Sequence, residues 1–174
     1  MRYLCISLFL FISCFTSCKD ATTPVTPEAT VTTTYYLIRH AEKDRSDPEN
    51  RNPSLTEEGI ARANNWASTF EDIPFDAVYS TTYARTQQTA MPTATQKGLE
   101  IQSYDPRNLF DENFQNATLG KTVLVVGHSN TTPNFVNAII KEDRFQDIDD
   151  SNNTNLYIVT LTGDKSSTQL LHID

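Results

Sequence analysis

The sequence predicts an α/β layered fold with a mainly parallel sheet and an antiparallel edge. Three observations predict it. Short apolar runs alternate with amphipathic segments of helix length through most of the chain. The run 122–126 (TVLVV) is apolar throughout, as a central strand covered on both faces must be. The last two apolar runs are separated only by a turn, which is the pattern of paired antiparallel strands.

Taken in order, 35–38 (YYLI) is the first strand and 46–54 (SDPENRNPS) a loop of prolines and polar turn formers. A helix is expected from Thr56 to about Phe70. Thr56 can cap it, and Glu57 and Glu58 suit its positive first turn. Ile60, Ala63, Ala67 and Phe70 recur at helical spacing, with Trp66 beside them. A short strand follows at 76–79. A second helix is expected from Ala84 to about Gln96, where Pro92 should kink it or end its regular ladder and Gly98 should stop it. The third strand is 100–104, and 105–120 reads as an irregular loop or a short helix. After 122–126 comes Gly127-His128-Ser129, and Pro133 suits the first turn of a helix to about Lys141. The runs 155–161 and 169–173 are the final strands, paired across a turn at 162–167.

The first 20 residues differ from the rest. Arg2 is followed by an apolar run from Tyr3 to Phe15, too short to span a bilayer and suited to a secretory signal. The three cysteines, Cys5, Cys14 and Cys18, all fall in this stretch, so a disulfide framework for the folded domain is excluded. Phe15 to Cys18 resembles the lipobox of bacterial lipoproteins, although Phe15 stands where leucine is usual; this implies lipidation at Cys18 and a position in the cell envelope, periplasmic or on the surface. Acyl chains hold a protein at a membrane by about 0.8 kcal/mol per buried methylene. The expected organisation is a signal peptide at 1–17, a Thr/Pro-rich tether at 18–33 and one domain at 34–174. The chain carries a net charge of −8, and residues 1–17 hold only Arg2, so the remainder carries −9. No nucleic-acid surface is expected on so acidic a domain. An anionic substrate must be drawn by local positive charge.

Ligands of such folds bind beyond the carboxyl ends of the strands. The first strand ends in Arg39-His40, the second runs into Ser80 to Thr86 with Arg85, and the central one ends in Gly127-His128-Ser129. Two histidines, two arginines and two helix N-termini therefore meet at one rim. Arginines and helix N-termini together favour an anion, above all phosphate.

The segments RHAEK (39–43), STTYARTQQTA (80–90) and VVGHSNTTP (125–133), with NPSLTEEG (52–59), resemble the histidine phosphatase superfamily, the phosphoglycerate mutase-like group. The short chain is similar to its small bacterial members, phosphohistidine phosphatases among them. The resemblance implies a three-layer αβα sandwich with a mainly parallel central sheet. It implies that His40 is the nucleophile, forming a phosphohistidine that water hydrolyses, while Arg39, Arg85 and His128 hold the phosphoryl oxygens. An unperturbed imidazole is a competent nucleophile near neutral pH. No metal or other cofactor is implied.

Two departures bear on the site. Ala41 replaces the usual glycine, and Ser46 stands where many members carry a phosphate-binding asparagine, leaving Lys43, Asn52 and Ser129 as further candidate phosphate ligands. The general acid that the resemblance implies would fall on Asp111, with Glu112 and Asp105 as other options and plain solvated carboxylates as the alternative. The expected function is hydrolysis of phosphomonoesters or phosphohistidine-type substrates, on a small molecule or a phosphoprotein. The competing reading is a catalytically silent lipoprotein that binds phosphate or a phosphorylated glycan in the same pocket. A mutase is disfavoured by the short chain and the export signal.

Overall fold

The computed structural model describes residues 30–174. The stretch expected to be a signal peptide, Cys18 and most of the expected tether lie outside the described residues. The order of elements is β1 (Thr32–Arg39), α1 (Glu57–Thr69), β2 (Ala77–Ser80), α2 (Ala84–Lys97), β3 (Ile101–Ser103), α3 (Glu112–Thr118), β4 (Thr122–Gly127), α4 (Thr131–Ile140), β5 (Asn155–Thr162) and β6 (Lys165–His172). One six-stranded sheet has the strand order β3-β2-β4-β1-β5-β6. Strands β3, β2, β4 and β1 are mutually parallel, while β5 is antiparallel to β1 and to β6.

The pleat divides the core into two layers. Tyr35, Leu37, Val123, Val125, Tyr79 and Tyr157 point to the side of α3 and α4, where they meet Phe114, Phe135 and Ile139. Ile38, Leu124, Val126 and Val78 point to the side of α1 and α2, where they meet Trp66, Phe70, Ala90 and Ala94. This is the expected αβα sandwich. Full burial of one such large side chain contributes about 1.5–3 kcal/mol.

Thr56 caps α1 by accepting from the Gly59 N–H, and Gly98 ends α2 in the left-handed conformation. Three expectations are revised and two are made definite. The buried face of α1 is Gly59, Ala63, Trp66 and Ala67, and Ile60 points to solvent with 53% exposure. The helix is pinned by its start: a Cβ on Gly59 would overlap the Glu42 carbonyl, so this face must turn toward the chain that follows His40. Helix α2 spans the expected range with Pro92 inside it, where buried Ala90, Thr93 and Ala94 hold it on the sheet and α1. Strand β1 starts at Thr32, inside the segment read as tether, because Thr32 to Thr34 find partners on β5. The β5–β6 turn is only Gly163-Asp164, with Gly163 at a φ of 57°, so β6 begins at Lys165 rather than 169. The 105–120 stretch divides into a loop and the short helix α3.

Candidate active site

Strands β1 and β4 are adjacent and parallel, with Arg39 paired to Gly127 in register. That register alone puts His40 and His128 side by side. Their ring centroids are 5.5 Å apart. Strand β2 lies on the other side of β4 and delivers Thr81, Tyr83 and Arg85 to the same rim. Gly127 is demanded by the close approach: a Cβ there would lie 2.7 Å from the Thr132 hydroxyl and 2.9 Å from that of Tyr104. The result is a cavity of about 330 Å³ lined by Arg39, His40, Lys43, Arg85, His128 and Ser129, with Asp150 on its wall.

His40 is buried and fixed from three directions. Its N–H donates to the Gly127 carbonyl, and its own carbonyl accepts from the Asn153 amide. The Thr89 hydroxyl accepts from the Ala41 N–H and donates to the Arg85 carbonyl, tying the His40 loop to α2. Ring Nδ1 lies 2.7 Å from the Ala41 carbonyl, which can only accept, so Nδ1 carries the proton. Nε2 keeps the lone pair and has no protein partner among the described residues. Burial, reinforced by Arg39, Arg85 and His128 and opposed by the Ala41 bond, pushes the His40 pKa down to about 3. The ring is neutral at pH 7. Ala41 fits where glycine is usual because its methyl packs with Leu55 and Ala63.

The state of His128 follows from its neighbours. Arg85 Nη2 sits 3.4 Å from Nδ1 and can only donate, so Nδ1 is the acceptor. Nε2–H then donates to the Thr81 hydroxyl, 3.0 Å away, which passes its own proton toward Thr86. Thr86 in turn donates to the carbonyls of Thr81 and Tyr83. Burial, with Arg85, Lys43 and Arg39, lowers the His128 pKa to about 4.

The two arginines differ. Arg39 Nη1 donates to the carbonyls of Asp149, Asp150 and Asn152, and Nη2 to the Asp150 carboxylate at 2.5 Å. Only Nε is left, buried and unpartnered. Arg85 stacks on Tyr83, 4.4 Å from the ring centroid, and both its Nε and Nη1 are buried without a partner. An unsatisfied buried donor costs about 1–3 kcal/mol, so these three nitrogens favour an acceptor-rich ligand.

Other sequence candidates are placed as follows. Ser129 and Lys43 line the cavity. Asn52 does not: its Oδ1 accepts from the Ala84 N–H and so caps α2 from outside. Asp111 is no acid of this cavity. Its carboxylate caps α3 through the Phe114 N–H and accepts from the Asn108 amide, and it lines a separate cleft with Asp105. Asp105 pairs with Arg107, which lowers its pKa to about 2. Glu112 sits in the first turn of α3. The carboxylate that does reach the site, Asp150, was not singled out in the sequence. It bridges Arg39 and Arg45, and those contacts, Arg45 foremost, lower its pKa to about 2. The run of turn formers 149–153 (DDSNN), the only signal for this loop, does not tell which arginine it serves.

Fold and pocket together define a class: an αβα sandwich that gathers two histidines and two arginines around one cavity. Residues 35–107 match the family model described as histidine phosphatase superfamily (branch 1). Among solved structures, the chain is similar to SixA of Agrobacterium tumefaciens, described as a phosphohistidine phosphatase, at 24% identity and a TM-score of 0.59, over 80% of this chain and 97% of that one. It is also similar to an Entamoeba histolytica phosphoserine phosphatase variant in complex with phosphoserine, at 16% identity and a TM-score of 0.61, over 79% and 95% of the two chains. A mycobacterial glucosyl-3-phosphoglycerate phosphatase aligns at 11% identity and a TM-score of 0.60, over 82% and 98%. No curated protein matches the sequence. Over residues 35–107 the chain is thus similar to the histidine phosphatase superfamily, branch 1, and its fold is the one these phosphatases share.

Proposed function

We propose that this protein is a phosphatase working through a covalent phosphohistidine on His40, on substrates whose leaving group departs without a proton from an enzyme carboxylic acid. The observation that carries the reading is the pairing of a tautomer-fixed His40, its Nε2 free, with three unpartnered guanidinium nitrogens. Nε2 attacks phosphorus as the bond to the leaving group breaks. The arginines stabilise the charge on the transferring oxygens, the main task of a catalyst of phosphoryl transfer. Water then attacks the phosphohistidine, giving inorganic phosphate and neutral His40. In the unliganded tautomer His128 offers a lone pair, so it can hold a phosphoryl oxygen only after taking up a proton at Nδ1.

The choice of substrate rests on Asp150. It is the only carboxylate lining the cavity among the described residues, and its two ion pairs hold it ionised. A group that stays ionised cannot protonate an alkoxide. Phosphoramidates such as phosphohistidine, anhydrides and aryl esters fit; simple alkyl esters do not. From the sequence we further infer that Cys18 carries a lipid that holds the domain at a membrane outside the cytoplasm.

Release of phosphate from p-nitrophenyl phosphate and from phosphohistidine by the wild type and by His40→Ala tests the enzyme reading. Turnover by the wild type alone is expected; equal turnover in both removes His40 as nucleophile. Phosphate binding without turnover in either would favour the silent binding module. Transfer of the protein from the membrane to the soluble fraction in Cys18→Ala tests the anchor, and unchanged fractionation would refute it.

A further inference from the structure

The phosphate cavity does not end at Arg85. A second cleft of about 530 Å³ adjoins it, sharing Lys43, Tyr83 and Arg85 and walled on its far side by the 44–53 loop. The loop brings Arg45 and Arg51 to this cleft, together with Asp44 and Asp47. Both carboxylates are turned into their own loop: Asp44 accepts from the Ser46 N–H and Asp47 from the Glu49 N–H. Arg45 is shared with Asp150. Lys43 and Arg51 make no ion pair among the described residues. On a chain of net charge −8, this is a local concentration of uncommitted positive charge directly beside the reacting centre.

We infer that this cleft is a second anion subsite, in which Lys43 and Arg51 hold a carboxylate or phosphate borne by the leaving-group side of the substrate. The inference rests on the adjoining cavity being the phosphate site. It narrows the substrate class to compounds with two acidic groups, one transferred and one retained as a handle. An ion held by the handle orients the scissile bond against His40 and raises the encounter rate at low salt. The cleft is open and Arg51 exposed, so the gain is modest.

Binding of three non-hydrolysable probes to the full-length protein, measured by calorimetry, tests it. Phenylphosphonate fills only the first cavity; 3-carboxyphenylphosphonate and 1,3-phenylenebisphosphonate also reach the second. The wild type is expected to bind the two probes with an anionic handle about three- to tenfold more tightly than phenylphosphonate, an advantage shrinking with added salt. In Arg51→Ala the ratio should fall to within about twofold. Whichever handle keeps the larger advantage identifies the natural one as carboxylate or phosphate. Equal affinity for all three probes in the wild type, or an unchanged ratio in Arg51→Ala, would overturn the subsite and leave the enzyme reading intact. Failure of phenylphosphonate itself to bind would instead strike the reading of the first cavity, on which the subsite depends.

Discussion

Arg39 and Arg85 look alike in the sequence, each a cation at the rim where a strand gives way to a loop or helix. The fold gives them opposite duties. Arg39 is 2% exposed and commits Nη1 and Nη2 to the 149–152 loop, keeping one N–H for a ligand. Arg85 commits one nitrogen weakly to His128 and keeps two buried donors free. One arginine builds the wall of the cavity and the other leaves its donors uncommitted beside it. An arginine's donors must be counted before it is assigned to a phosphate, since its five N–H groups can be spent on the protein.

Arg85→Ala gives the largest expected effect on activity. It removes the two free donors, and kcat should fall about a hundred- to thousandfold with little change in the midpoint of thermal unfolding. Arg39→Ala should show the reverse emphasis. Three loop carbonyls lose their donor while the exposed Asp150 carboxylate keeps Arg45, and chemical denaturation should report a loss of about 1–3 kcal/mol. If Arg39→Ala unfolds like the wild type, the division of labour is wrong. Thr81→Val keeps the shape but removes the acceptor that holds His128 Nε2–H. About a tenfold fall in kcat/KM is expected, with a tautomer change in the His128 nitrogen signals by NMR, and no loss of fold.

The smallest effect is one of pH. His40 and His128 have folded pKa values of about 3 and 4, below the ordinary 6.5. Between these values the unfolded chain binds more protons than the folded one, so stability rises with pH through that window and is lost as pH falls below 6.5. From pH 6.5 to 5.5 each ring should cost on the order of 1 kcal/mol. His40→Asn should show a shallower slope than the wild type in the same denaturation series; an unchanged slope would mean that His40 is not held neutral by burial.

Much of the fold and the centre of the site were legible because they are written locally. Alternating apolar runs, the cap at Thr56 and the stop at Gly98 need only neighbours in sequence. The strand ends at His40 and Gly127 lead to a shared rim through one rule of parallel sheets. What was not legible depends on contacts across long stretches of chain. The hold of Asp150 on Arg39 spans 111 positions, and that of Asn153 on the His40 carbonyl 113. The cap role of Asn52 crosses 32 positions to Ala84, so a residue taken as a candidate phosphate ligand serves a helix end. Asp111 was findable: an Asp three residues before buried Phe114, at the start of a helical stretch, is an N-cap pattern. Ile60 shows the limit of periodicity, since hydrophobic spacing gave the helix but Gly59's contact with Glu42 set its rotation.

The most direct measurement is capture of the enzyme-bound phosphate. Wild-type protein mixed with p-nitrophenyl phosphate, quenched in alkali within the first turnovers and mapped by mass spectrometry should carry phosphate on His40, with a burst of nitrophenol equal to the amount of enzyme. Turnover with no phosphate on the protein, or with phosphate on His128 or any other residue, would contradict the proposal that the Nε2 of His40 is the nucleophile.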